Sequence, residues 1–161
     1  MNIAVVGSGY WGTKIVEAYS ELNSLYSIYE KNTERRKELS VIYPDVVFYD
    51  TYEELLNDKF INGVVIATPV TTHFELAKKS LEAGFLTFVE KPMTLNLSDA
   101  EYLTDLANLK QIPLMVGHIL EYHPAINKMK ELIDSGSTGK IKHIRCSRVN
   151  LGKIREHESV W

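Results

Sequence analysis

Short apolar runs alternate along this chain with longer segments in which apolar residues recur every three or four positions. Six apolar runs are candidate strands, at residues 2–6, 26–29, 46–49, 64–67, 86–89 and 113–116. Continuous apolar runs are typical of strands that are buried on both faces of a parallel sheet. The pattern therefore predicts an α/β fold, a doubly wound parallel sheet (Rossmann) with helices on both faces.

The intervening segments carry helix signals of their own. The first predicted helix runs from residue 11 to residue 22. Three others begin with the capping-box pattern, at Thr51–Glu54, Thr72–Glu75 and Ser98–Glu101. In that pattern a hydroxyl and a carboxylate bind the otherwise unpaired N–H groups of the first turn. Gly84 stands where a glycine would end the third of these four helices.

The pattern changes at His118. Pro124 opens a further predicted helix, and Gly136 closes it. Residues 140–151 then predict one long strand with polar residues on both faces, in which Cys146 is expected to be buried. We therefore divide the chain into a first domain at 1–118 and the truncated start of a second α+β domain at 119–161.

A glycine-rich loop, Gly7-Ser-Gly9-Tyr-Trp-Gly12, joins the first strand to the first helix. Gly7 permits the tight turn, Gly9 lets backbone approach a pyrophosphate, and Gly12 allows close contact between helix and strand. The helix N-terminus adds N–H groups and a partial positive charge, with Tyr10 and Trp11 contributing mainly backbone N–H groups. The loop predicts a dinucleotide site; a tight turn that binds nothing is the alternative.

Glu30 ends the second strand, eighteen positions after Gly12. An acidic side chain near this point binds the adenosine ribose hydroxyls in dinucleotide-binding folds, and its charge repels a 2′-phosphate. The sequence therefore favours NAD over NADP. Lys31, Arg35 and Arg36 follow closely and leave NADP as an alternative. A solvated glutamate at a strand end is the other interpretation of Glu30.

The amino-acid composition argues against several classes of binding partner. The 161 residues include 18 Lys and Arg against 21 Asp and Glu, a net charge of −3, which argues against binding nucleic acid or an anionic membrane. The single cysteine excludes an internal disulfide and a multi-cysteine zinc site, and fits a reducing cytoplasm. No apolar run approaches the roughly 20 residues that span a bilayer. We expect no metal and no signal peptide.

Two further motifs follow the fourth and fifth strands: Ala67-Thr68-Pro69 with His73, and Glu90-Lys91-Pro92. Taken alone, they would be connecting loops, with Thr72 as a helix cap and Lys91 as a solvated lysine. With the glycine loop they make the sequence resemble the glucose-fructose oxidoreductase/inositol dehydrogenase (Gfo/Idh/MocA) family. The resemblance continues through Gly117-His118-x-x-Glu121-x-x-Pro124-Ala125 and Gly139-Lys140-Ile141. The run Gly-His-x-Leu-Glu is similar to the branch of UDP-N-acetylhexosamine 3-dehydrogenases.

The family comprises two-domain NAD(P)-dependent sugar and polyol oxidoreductases. The resemblance therefore implies hydride transfer between a nicotinamide and a secondary alcohol of a sugar, polyol or nucleotide sugar. It makes Lys91 the catalytic residue beside the nicotinamide, where an ammonium stabilises a developing alkoxide. It gives cofactor contacts to the two loops, at Ala67, Thr68, Pro69, His73, Glu90 and Lys91. His118 and Glu121 would face cofactor or substrate, or else be ordinary polar loop residues.

The family's second domain usually supplies an acid/base histidine in an Asp-x-x-x-His motif, which this sequence lacks. Arg148, Gly152 and Arg155 resemble the run that approaches the motif, and His157 comes too early to replace it. We expect a competent cofactor site, an incomplete active site, and a homo-oligomer for the full-length protein. A non-catalytic NAD(P)-binding sensor and a domain that binds nothing are the alternatives.

Overall fold

The computed structural model describes residues 1–147 and 149. Its core is one six-stranded parallel sheet in the order β3-β2-β1-β4-β5-β6. The strands are β1 (Ile3–Val6), β2 (Leu25–Tyr29), β3 (Val47–Phe48), β4 (Gly63–Ile66), β5 (Leu86–Val89) and β6 (Leu114–Val116). This order, which reverses direction between β1 and β4, is that of a doubly wound dinucleotide-binding fold and confirms the predicted fold class.

Helices cover both faces of the sheet. They are α1 (Tyr10–Glu21), α2 (Thr33–Ile42), α3 (Tyr52–Leu56), α4 (His73–Ala83) and α5 (Leu97–Lys110). Successive residues of β1 point to opposite faces: Ala4 and Val6 pack in the apolar cluster with α3, α4 and α5, and Ile3 and Val5 in the cluster with α1 and α2. Burial on both faces explains why the strands are apolar without interruption.

Of the three predicted capping boxes, only the first is confirmed. The Thr51 hydroxyl accepts a hydrogen bond from the N–H of Glu54, whose carboxylate accepts one from the N–H of Thr51. At Thr72 the prediction is wrong, because a 3₁₀ turn precedes α4 and the hydroxyl donates back to the Pro69 carbonyl at 2.8 Å. The third is also wrong, because α5 begins before Ser98, at Leu97.

The chain divides into two compact units at the boundary between Gly117 and His118. In the second unit, helix α6 (Pro124–Asp134) follows a 3₁₀ turn at Ile119–Tyr122, which agrees with the predicted start at Pro124. The Nδ1 atom of His123 caps this helix by accepting a hydrogen bond from the N–H of Ala125 at 3.2 Å.

The long strand predicted for residues 140–151 is wrong over the part that the structure describes. Residues 141–147 are not in a strand, because they form no ladder of hydrogen bonds with another described segment. Cys146 is exposed there, which corrects the expectation that it is buried. Residues 148 and 150–161, with Arg148, Gly152, Arg155 and His157, lie outside the described residues.

None of the helices in the described part of the chain could span a membrane. No group of three or more His, Cys, Asp or Glu side chains in the same residues is arranged to hold a metal ion.

A buried hydroxyl in the sheet leads to a prediction about the free energy of unfolding. Ser27 in β2 is 0% exposed, and its Oγ finds no hydrogen-bond partner among the described residues. Burying an unpaired hydroxyl costs free energy that no bond repays, so Ser27→Ala should leave the free energy of unfolding unchanged or raise it by about 1 kcal/mol. Urea denaturation of this chain measures the change.

Ser80→Ala is the matched control. Ser80 is equally buried, but its Oγ lies 2.8 Å from the Oγ1 of Thr87, so the same substitution breaks a buried hydrogen bond. It should lower the free energy of unfolding by about 1–2 kcal/mol. A comparable loss of unfolding free energy in both variants would contradict the prediction for Ser27→Ala.

Candidate cofactor-binding and active site

The loops that leave β1 and β4 contact one another at the point where the strand order reverses. Gly7 has φ +87°, and a Cβ placed on it would lie 2.8 Å from Cγ2 of Thr68 and 3.0 Å from the carbonyl oxygen of Ala67. Both the left-handed backbone and the close approach require glycine. Ligands of open α/β sheets bind in the crevice outside this pair of strand ends.

The other two glycines of the loop face different surroundings. A Cβ on Gly12 would lie 2.1 Å from the carbonyl oxygen of Gly7, so α1 packs directly on the preceding turn. A Cβ on Gly9 would meet no atom within 4 Å. Gly9 is the N-cap of α1 and, as a glycine, it has no side chain with which to cap the helix. The open space beside a helix N-terminus suits a phosphate group.

Two aromatic side chains stand at the start of α1. Tyr10 is 65% exposed and Trp11 is 40% exposed, and their rings meet edge to face with centroids 5.7 Å apart. The Nζ atom of Lys14 lies 5.4 Å from the centroid of the Tyr10 ring. The side chains pack on one another rather than in the core, and the role predicted for their backbone N–H groups stays a prediction.

The Glu30 carboxylate accepts three hydrogen bonds, two from the glycine loop and one from the segment after β2. Its Oε2 accepts from the Ser8 N–H at 2.8 Å and from the Ser8 hydroxyl at 2.5 Å, and its Oε1 accepts from the Asn32 N–H at 2.9 Å. Burial works to raise the pKa of Glu30, but the bonds from Ser8 and Asn32, together with the charge of Arg35, outweigh it and lower the pKa. Glu30 is therefore ionised and fixed in place at neutral pH.

The basic residues near Glu30 separate into different environments. Arg35 lies between α2 and α1, where its Nη2 donates to Oγ1 of Thr13 at 3.0 Å and its Nη1 pairs with Glu38 at 2.9 Å. Arg36 turns to the end of β3 and pairs with Asp50 at 2.9 Å. Of these two arginines, Arg35 is the one whose charge acts on Glu30.

His73 ties the loop after β4 to the loop after β5. Its ring is 1% exposed, with Nε2 2.8 Å from the Thr68 carbonyl oxygen and Nδ1 2.9 Å from the Pro92 carbonyl oxygen. Both ring nitrogens face protein carbonyls, so a cofactor could reach neither without displacing one of these partners. His73 thus holds the two loops together, and its predicted contact with the cofactor stays a prediction.

The loop after β5 carries the predicted catalytic residue. Lys91 is exposed, its N–H donates to Oε2 of Glu90 at 3.1 Å, and its peptide bond to Pro92 is cis. Oε1 of Glu90 lies over Gly117, where a Cβ would come within 2.9 Å. Because β1, β4 and β5 are parallel neighbours, Lys91 lies at the same edge of the sheet as the glycine loop.

His118 and Glu121 belong to the second unit. Both are exposed, and the N–H of Glu121 donates to the carbonyl oxygen of His118 at 3.0 Å within the 3₁₀ turn. Their assignment to cofactor or substrate stays a prediction.

Sequence reasoning missed three residues that build the site: Ser8, Thr13 and Asn32. Ser8 and Thr13 bind Glu30 and Arg35 across 22 positions of sequence, which no local pattern reveals. Asn32 carried a readable signal, because an asparagine before a polar helix is a common N-cap. Its side chain accepts from the N–H groups of Glu34 and Arg35.

Comparisons with known proteins place this site in a family. The family model described as "Oxidoreductase family, NAD-binding Rossmann fold" (GFO_IDH_MocA) matches residues 1–118. UDP-N-acetylglucosamine 3-dehydrogenase of Acidithiobacillus ferrooxidans is 30% identical over 81% of this chain and 41% of its own length. The scyllo-inositol 2-dehydrogenase (NADP(+)) IolW of Bacillus subtilis is 28% identical over 100% of this chain and 44% of its own length.

Solved structures agree with this assignment. A probable dehydrogenase from Thermotoga maritima superposes with a TM-score of 0.81 at 27% identity, covering 87% of this chain and 42% of that one. The chain spans about two fifths of the length of the relatives it matches. The match over residues 1–118, the strand order and the glycine loop lead to one conclusion: the chain belongs to the Gfo/Idh/MocA family of oxidoreductases, with its NAD-binding Rossmann fold.

Proposed function

We propose that this chain is the cofactor-binding part of an NAD(P)-dependent oxidoreductase that transfers a hydride between a nicotinamide and a secondary alcohol. The observation that carries the proposal is the placement of the glycine loop and Lys91 at one edge of the sheet. Two of the matched relatives are named for UDP-N-acetylglucosamine and scyllo-inositol, whose rings both carry secondary hydroxyls. A sugar, polyol or nucleotide sugar is therefore the proposed class of substrate.

The two units have different proposed roles. Residues 1–118 form the dinucleotide-binding domain, and residues 119–161 begin the substrate domain. Because the chain spans about two fifths of its relatives, most substrate contacts would come from parts of the protein beyond this chain. A homo-oligomer is the proposed assembly of the whole protein.

The residues present fit a dinucleotide. The open space beside Gly9 at the N-terminus of α1 would hold the pyrophosphate, and the ionised Glu30 would bind the adenosine ribose. The loop at Thr68 and Pro69 and the turn at Lys91 would flank the nicotinamide. When bound, the nicotinamide supplies the hydride acceptor or donor.

Lys91 is the proposed catalytic residue. An alcohol that loses its hydride also loses the hydroxyl proton, and negative charge develops on its oxygen. The exposed ammonium of Lys91 would stabilise that charge and hold the hydroxyl in place. Glu90, which accepts a hydrogen bond from the Lys91 N–H and lies over Gly117, would orient the turn that presents the lysine.

The proposed cofactor preference is NAD over NADP. Glu30 places a fixed negative charge where a 2′-phosphate would come. Arg35 stands beside it, but its guanidinium is engaged by Thr13 and Glu38. The family model is described as NAD-binding and the relative IolW is named for NADP(+), and a site in which one carboxylate and one arginine compete is consistent with both.

Calorimetric titration of this chain with NADH and with NADPH tests the proposal. We expect NADH to bind at least about tenfold more tightly, a difference of about 1.4 kcal/mol. Glu30→Ala should weaken NADH binding much more than NADPH binding, because it removes both the ribose acceptor and the repulsion. An equal loss of affinity for both nucleotides would contradict the proposed preference for NAD. If the original chain binds neither nucleotide, the proposed function is overturned.

A pair of glycine substitutions separates folding from binding. Gly9 has φ −65°, which alanine accepts, and its Cβ would enter open space. Gly9→Ala should therefore keep the free energy of unfolding within about 0.5 kcal/mol of the original and weaken NADH binding at least about tenfold. Gly12→Ala places a Cβ 2.1 Å from the Gly7 carbonyl oxygen and should cost more than about 3 kcal/mol of stability. Denaturation measures the free energy of unfolding of each variant, and titration with NADH measures its affinity. An unchanged NADH affinity in Gly9→Ala would contradict the proposed phosphate site.

Lys91→Ala tests the catalytic role in a longer protein that includes the substrate domain. Turnover should fall by roughly 10²–10³, the cost of removing one group that stabilises the developing charge, while NADH affinity changes by less than about threefold. Lys59→Ala, an exposed lysine in the segment before β4, is the control and should leave turnover unchanged. Unchanged turnover in Lys91→Ala would instead favour a non-catalytic cofactor sensor.

A further inference from the structure

Ser8 is an unusual member of the glycine loop because its side chain is buried. It is 3% exposed, between Gly7 and Gly9, which carry no side chains. Its hydroxyl and its N–H both donate to the same oxygen, Oε2 of Glu30, at 2.5 Å and 2.8 Å. Ser8 thus binds one carboxylate oxygen of Glu30 with two hydrogen-bond donors.

The hydrogen bonds from Ser8 limit which acceptor positions of the Glu30 carboxylate remain open. A carboxylate oxygen has two lone-pair positions, and Ser8 fills both of those on Oε2. Oε1 accepts from the Asn32 N–H at 2.9 Å, which leaves one position on Oε1 without a partner among the described residues. Ser8 therefore decides which carboxylate oxygen of Glu30 faces a ribose hydroxyl.

Arg35 supplies the competing arrangement. Its guanidinium lies close enough to lower the pKa of Glu30, and it bridges Thr13 and Glu38. A Glu30 carboxylate released from Ser8 would be drawn towards this cation. The pair would then offer a neutralised carboxylate to the ribose, and the repulsion that excludes a 2′-phosphate would weaken.

We propose that Ser8 is a specificity-determining residue, whose hydroxyl positions the Glu30 carboxylate for the ribose and thereby sets the preference for NAD over NADP. The inference rests on the proposed function, because it assumes that the loop binds a dinucleotide. Ser8 acts through Glu30, so it is a positioning residue and its effect depends on that carboxylate.

The test is a double-mutant cycle on cofactor selectivity in this chain. NADH and NADPH affinities are measured by calorimetry for the original chain, Ser8→Ala, Glu30→Ala and the double variant. Ser8→Ala should weaken NADH binding about tenfold and leave NADPH binding unchanged or make it tighter, because the repulsion of the 2′-phosphate weakens. In the Glu30→Ala background, Ser8→Ala should change the NADH-to-NADPH ratio by less than about twofold, because the residue it acts through is gone.

Ser24→Ala is the matched control. Ser24 precedes β2, so the same hydroxyl is removed at the end of the strand opposite to Glu30, and selectivity should not change. Ser8→Gly removes the Ser8 hydroxyl in a second way if the alanine variant is unstable. Equal losses for both nucleotides in Ser8→Ala, or a selectivity shift that persists without Glu30, would overturn the inference.

A second measurement needs no nucleotide. Hydrogen bonds from Ser8 help to lower the pKa of Glu30, so NMR titration of its carboxyl carbon should show a higher pKa in Ser8→Ala. An unchanged pKa, with nucleotide binding by the original chain intact, would overturn the inference about Ser8 alone. Failure of the original chain to bind either nucleotide would overturn the proposed function, which separates the two failures.

Discussion

The contact on which the site depends is the packing of α1 against the turn that precedes it. Because Gly12 has no side chain, the helix approaches the Gly7 carbonyl oxygen to a distance at which a Cβ would overlap it. Gly7 in turn closes on Ala67 and Thr68, so the loops after β1 and β4 meet without intervening side chains. These approaches bring the N-terminus of α1 to the edge of the sheet and leave the space beside Gly9 open.

Around that backbone contact, polar side chains connect the loops to one another. Ser8 and Glu30 join the glycine loop to the end of β2, and His73 joins the loops after β4 and β5. Glu90 lies over Gly117, at the end of β6. Each connection crosses between strands that are neighbours in the sheet, so the sheet order determines which loops can be tied. The result is a continuous edge that fits a long ligand such as a dinucleotide.

Local patterns predicted elements well and local contacts less well. The six strands and the glycine loop followed from periodicity and from residue type, and the structure contains them. The capping box was right at Thr51 and wrong at Thr72, because the 3₁₀ turn before α4 gives the Thr72 hydroxyl a nearer acceptor. Cys146 was expected in a buried strand, yet a strand requires a partner that the described residues do not supply. Both outcomes depend on groups that lie outside the sequence pattern from which the prediction was made.

By itself the sequence determined the fold class, the loop with its three glycines, and the two charged residues proposed for the site, Glu30 and Lys91. The spacing of apolar residues and the positions of glycines are local properties of the sequence. They predict the same elements wherever one face of each element is buried. Only the tertiary structure decided that Ser8 fills one oxygen of Glu30 and that His73 is a buried link between loops. Those contacts join residues brought together by strand order, and only the folded sheet specifies which donor meets which acceptor.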